Sequence, residues 1–152
     1  MSSFREGRWE RRFEAMGDAA EAAFEEWAEI EKRGFIRYGL NRPPIAVHRL
    51  PTRVRYTPDY LTTRGFVECQ GHGRDQLIKM KVEKLGCLHW WADLHPVELF
   101  LWDSHHKRSA MTTLHDFDDA LCEPDAKLMH FPERKPYFEL PAHLFFEVGG
   151  DG

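Results

Sequence analysis

Pro58-Asp59-Tyr60-Leu61-Thr62-Thr63-Arg64-Gly65-Phe66-Val67-Glu68-Cys69-Gln70 is the stretch whose reading decides the fold. Two apolar-containing runs flank Thr-Thr-Arg-Gly, which predicts a β-hairpin whose first strand begins at Arg53. Pro58 has no N–H to donate, so that strand is kinked or lies at an edge there. With the turn held by residues 62–65, Leu61 faces Phe66, Tyr60 faces Val67 and Asp59 faces Glu68. Opposed residues have Cβ atoms about 4.5–5.5 Å apart, and two carboxylates that close need a shared proton or a cation. Alternation puts Gln70 on the face of Glu68 and turns Cys69 to the other, where a buried thiol behaves as a small apolar residue. Two acids and an amide on one face are the hardware of a divalent-cation site. The alternative is an exposed hairpin with incidental acids.

Working outward, residues 17–33 predict a helix with one apolar stripe of Met16, Ala20, Ala23, Phe24, Trp27 and Ile30. Glu21 lies at the border of that stripe, about 100° from Ala20. Residues 34–39 predict a short strand, and the two prolines of 41–45 a break. Beyond the hairpin, residues 74–85 predict a second helix stopped by Gly86. Lys81 falls within its stripe of Leu77, Ile78, Val82 and Leu85, either snorkelling past the core edge or reaching into the site. Residues 87–91 and 97–102 read as strands, 105–108 as an exposed loop that touches phosphate, and 112–121 as a short helix. Thr113 and Asp116 there have nearly capping-box spacing. Pro124, Pro132, Pro136 and Pro141 predict a tail of irregular chain and short strands. Trp90, Trp91, Phe100, Trp102 and Phe117 read as core. The order implies an α/β sandwich around a mixed sheet, one domain over 1–152 with its core at about 17–103 and a C-terminal extension over 104–152.

A chain of 152 residues, 42% hydrophobic and 30% charged, fits one folded domain and excludes disordered and fibrous classes. No apolar run is long enough for a bilayer, and the first residues lack the pattern of a signal peptide, so no membrane is expected. Cys69, Cys87 and Cys122 form no CxxC pair, so the expected compartment is the reducing cytoplasm. No histidine pair has the spacing of a structural zinc site. The net charge of -4 hides a segregation: twelve bases and four acids over residues 32–84, between acidic ends. Such a belt suits a polyanion, with Arg53, Arg55, Arg64, Arg74 and Lys84 as candidate nucleic-acid contacts; the alternative is a solvated face.

Pro58-Asp59, followed after eight residues by Glu68-Cys69-Gln70, resembles the PD-(D/E)XK restriction-endonuclease-like nucleases. Gly17-Asp18-Ala19-Ala20-Glu21 resembles the first-helix acidic motif of the phage and archaeal Holliday-junction resolvase branch, and helix, strand, hairpin and helix follow in the family's order. The resemblance implies a restriction-endonuclease-like mixed β-sheet flanked by helices, with an irregular C-terminal extension. It implies a metal-dependent DNA endonuclease, acting on branched DNA as a homodimer. Asp59, Glu68 and the Cys69 carbonyl would hold Mg²⁺ or Mn²⁺, with Glu21 and Gln70 as further catalytic residues. The departure is Gln70, where the family usually has lysine. Some active members carry glutamine there and others recruit a lysine from the next helix, for which Lys81 is the candidate. A non-catalytic DNA-binding module on the same fold and a small protein-interaction domain are the two competing readings.

Overall fold

The computed structural model describes residues 4–39, 49–132 and 135–146; the Met16 side chain and the prolyl break at 41–45 lie outside what it describes. The helical recurrence of the first segment closes into α1 (Phe4–Ile30), with Ala20, Phe24 and Ala28 fully buried at successive four-residue steps. Ile30, expected in the same stripe, is 71% exposed at the last residue of the helix. The chain then forms β1 (Phe35–Arg37), α2 (Thr52–Arg55), β2 (Tyr60–Thr62), β3 (Gly65–His72), β4 (Leu77–Lys81) and α3 (Val82–Ala92). β5 (Val97–Asp103), β6 (Arg108–Thr113), α4 (Leu114–Ala120), β7 (Lys127–His130) and β8 (Pro136–Pro141) follow, and a 3-10 turn (Ala142–Leu144) comes after β8.

Five strands make a mixed sheet in the order β1-β2-β3-β5-β6. β3 and β5 run parallel and the other pairs antiparallel. Alternation sorts its side chains to two cores. Tyr60, Val67, Cys69 and Phe100 meet Ala20, Phe24 and Ala28 of α1. Phe66, Val97, Leu99 and Leu101 face Leu85, Leu88 and Trp91 of α3 and Phe117 of α4. Ile78 and Met80 of β4 and Leu140 of β8 complete that second core. The fold is therefore mixed α/β, a mixed sheet flanked by helices. No helix among the described residues is long and apolar enough to cross a membrane.

The hairpin register matches the expectation: Tyr60 pairs Val67, Leu61 pairs Phe66 and Thr62 pairs Gly65, so Thr63 and Arg64 form the connection. Gly65 has φ +126°, and a Cβ there would run into the Pro96 carbonyl, which accepts from Phe66 N–H at 2.8 Å. The Thr113 hydroxyl caps α4 by accepting from Asp116 N–H at 3.0 Å, as the spacing suggested.

Four expectations change. Residues 53–55 are a helical turn, so the first hairpin strand is only three residues long. Residues 77–81 are a strand rather than helix, with Ile78 and Met80 buried and Lys81 exposed at period two. Their partner is β8, some sixty residues away, a pairing that local periodicity does not reveal. Residues 87–91 are helical because α3 runs straight through Gly86, where a side chain would meet nothing. Arg108, expected in a loop, opens β6 and binds the buried Asp103 at 2.9 Å. The short strands expected in the tail are β7 and β8, which join β4 in a three-stranded sheet, β4-β8-β7.

Candidate active site

β3 is covered on one side along its length by β5, but β2 covers the other side only as far as Val67. The cause is local. Pro58 cannot donate, and α2 follows a different path just before it. The chain after β1 grips the turn instead, with Tyr38 N–H and Gly39 N–H donating to the Asp59 carbonyl at 2.9 and 3.1 Å. Cys69 N–H, left without a strand partner on this edge, donates to Asp59 Oδ2 at 2.8 Å. The N–H and C=O of one strand residue point to the same neighbour, so the Cys69 carbonyl also faces the uncovered edge. Its thiol packs in the α1 core, as alternation required.

Three carboxyls line up at this edge. Glu21 lies against Asp59 and Asp59 against Glu68, close enough that each pair favours holding a proton over carrying two charges. Burial, then the charge of Glu68, pushes the Asp59 carboxyl well above its ordinary value. Burial, then Asp59, pushes Glu21 up to about 7, against the lowering effect of Arg37. The Cys69 thiol is raised by burial and by the same carboxylates, so it stays protonated and is no nucleophile. An arrangement that takes up protons to relieve its own repulsion fits a divalent cation, which would displace them.

The cation already beside the acids is Lys84. Its ammonium lies 3.5 Å from Glu68 Oε1 and 3.4 Å from Gln70 Oε1. Burial pushes Lys84 down, but Glu68 and Asp59 more than offset this and hold it charged, above its ordinary value. Gln70 is a bridge: its Nε2 donates to the Lys79 carbonyl at 2.7 Å while its Oε1 accepts from Lys84. A cavity of about 240 Å³ opens next to this group, bounded by Gly17, Tyr56, the 69–71 edge of β3 and Phe131. Lys79, Lys81 and Lys84 give it a positive wall.

Glu21, Asp59, Glu68, Cys69 and Gln70 are thus brought together as the sequence suggested. The lysine beside them differs. Lys81 ends β4, lines the cavity and lies 6.0 Å from the centre of the Phe131 ring, whereas Lys84 pairs with Glu68. Lys84 was expected only to touch nucleic acid. A signal for it exists: Lys84, Leu88 and Trp91 recur at helical spacing, which puts a lysine at the head of the buried stripe of α3.

The basic belt is less continuous than its composition. Arg33 is spent on Glu98 at 2.6 Å, and Arg37 on Glu25 at 2.6 Å. Arg64 and Arg74 flank opposite ends of β3, a strand of roughly 23 Å at about 3.3 Å per residue, so the two are well separated along it. Arg53 and Arg55 sit on α2 near it, and Trp90, expected in the core, is 38% exposed beside Arg53.

Among the described residues, the group of three potential ligands whose atoms all lie within 4.8 Å of one another is His115, Asp116 and Asp119, exposed on α4. Comparison of the chain with family models, curated proteins and solved structures finds no match.

Proposed function

We propose that this chain is a divalent-metal-dependent DNA endonuclease of the PD-(D/E)XK kind, its site built from Asp59, Glu68, the Cys69 carbonyl and Lys84. The observation that carries the reading is the Lys84 ammonium at 3.5 Å from Glu68, next to Asp59 on the uncovered edge of β3. It answers the departure at Gln70, because the lysine missing from the hairpin is supplied by the next helix. The mixed sheet, with α1 on one face and α3 on the other, supports a restriction-endonuclease-like arrangement.

Asp59, Glu68 and the Cys69 carbonyl would hold Mg²⁺ or Mn²⁺. A bound metal of this type acidifies a water and stabilises charge on the phosphate oxygens. Lys84, charged and fixed by Gln70, stabilises negative charge that develops on the phosphate. Gln70 has both polar atoms engaged and serves to hold Lys84 rather than to direct water. Glu21 lies against Asp59 at the edge of this centre, and in the metal-free protein burial and Asp59 raise its carboxyl to about 7. The resemblance of the first-helix motif to the resolvase branch supports a branched substrate and a homodimer. The test is incubation of supercoiled plasmid and circular single-stranded DNA with the protein and Mn²⁺. The parent should nick or linearise at least one of them and Asp59→Asn should not. Intact DNA in every lane, with Mn²⁺ and with Mg²⁺, would sink the proposal.

A further inference from the structure

Cations laid over aromatic rings continue from the cavity outward. Lys81 lies by Phe131 at the cavity wall, and the Arg55 guanidinium lies 5.8 Å over the ring of Tyr56, which lines it. Two residues earlier on α2, Arg53 lies 4.9 Å over Trp90, and both are exposed. Trp91 fastens the two helices by donating its indole N–H to the Arg53 carbonyl at 3.0 Å. The Tyr56 hydroxyl donates to Glu83 at 3.3 Å, and Glu83 and Trp90 are seven residues apart on α3, about 10 Å along a helix. Glu83 is the acid within this stretch.

Duplex DNA offers a protein its phosphates and base edges, with the base faces hidden in the stack. Exposed rings and guanidinium planes contribute chiefly by stacking on base faces, which only an unpaired strand presents. One further observation fits a strand at this place. Gly17 lies inside the unbroken α1, where glycine is less favourable than alanine, and a Cβ there would meet nothing within 4 Å. It lines the cavity, and its absent side chain leaves that wall open to a ligand.

We infer that the cavity and the α2–α3 surface bind single-stranded DNA, one nucleotide in the cavity and the following bases stacked along Tyr56 and Trp90. The strand presented to Asp59, Glu68 and Lys84 is then unpaired. This rests on the nuclease reading for the chemistry, and the test keeps the two apart by measuring binding without metal. Fluorescence anisotropy with labelled dT20 and a labelled 20-base-pair duplex, in EDTA, should show dT20 bound at least about tenfold more tightly. Trp90→Ala should weaken dT20 binding at least about fivefold, the low end for one stacked base, and leave duplex binding within about twofold. Trp90→Phe should recover most of the loss, and Arg53→Gln should weaken dT20 binding in the same sense. Equal affinity for duplex and dT20, or no effect of Trp90→Ala, would overturn the inference even if DNA is cleaved. A dT20 preference carried by Trp90 in a protein that cleaves nothing would uphold it while the endonuclease reading falls.

Discussion

Replacing Lys84 by Met keeps most of the stem and removes the charge that the account places beside the reacting phosphate. At 3.5 Å from Glu68, the ion pair is worth about 5 kcal/mol at an effective dielectric of 20. Desolvating the ammonium costs several kcal/mol in return, and the two carboxylates outweigh that cost, since they hold the Lys84 pKa above its ordinary value. Folding stability should therefore change by no more than about 1–2 kcal/mol, and Asp59 and Glu68 can share protons to absorb the loss. Cleavage should respond far more strongly. A preorganised donor aimed at developing charge is worth about 10²–10³ in rate. Single-turnover cleavage of an end-labelled strand in Mn²⁺ should thus fall at least about 100-fold in Lys84→Met, about 2.7 kcal/mol in the barrier. Lys81→Met should stay within about threefold. Thermal melts of both variants establish that they are folded. A Lys84→Met protein that cleaves within threefold of the parent, or a Lys81→Met protein that loses as much as Lys84→Met, would refute the assignment.

Gln70→Lys, which restores the family's more usual residue, should lower cleavage at least about tenfold, because it removes the oxygen that accepts from Lys84 and crowds a second ammonium against it; a rise in single-turnover rate would show that Gln70 does not position Lys84. Asp103→Ala should cost about 3–5 kcal/mol in urea unfolding, since its buried carboxylate accepts from Gln76, from His106 and from Arg108; a loss under 1 kcal/mol would deny that this network ties the end of β5 to β6 and to the turn at Gln76. Burial and Asp59 push the Glu21 carboxyl from its ordinary 4.5 up to about 7, so the metal-free fold holds its proton more tightly than the unfolded chain does. That contribution is complete below pH 4.5 and is lost as pH rises to about 7. His72 is lowered by burial and works in the opposite sense below its ordinary value, so the comparison is with Glu21→Gln. The parent should lose stability relative to Glu21→Gln between pH 5 and 7.5 in EDTA; a constant difference would contradict the proton on Glu21.

The site was most legible where its geometry is local. The hairpin register follows from Gly65 and a two-residue connection, and it alone places Asp59 against Glu68. Glu21 could be placed because helical spacing ties it to Ala20 and Phe24. Lys84 was missed because Leu77, Ile78, Lys81, Val82 and Leu85 satisfy a helical period while Ile78 and Met80 satisfy a strand period. What decides between them is pairing with β8, a partner far along the chain. Once β4 ends at Lys81, α3 starts one residue later and its first turn swings Lys84 rather than Lys81 over Glu68. Trp90 was misplaced for the same reason: in a strand it would alternate with Trp91 into a core, but in α3 it lies about 100° round from Trp91 and faces outward.

The central claim is that Asp59, Glu68 and the Cys69 carbonyl form one divalent-metal centre with Lys84 at its side. Crystals of the protein soaked in Mn²⁺ and measured for anomalous scattering test it most directly. The account predicts a peak at about 2.1–2.2 Å from carboxylate oxygens of Asp59 and Glu68 and from the Cys69 carbonyl, absent in Asp59→Asn crystals. Fully occupied Mn²⁺ at His115, Asp116 and Asp119 with none at Asp59 and Glu68 would contradict it.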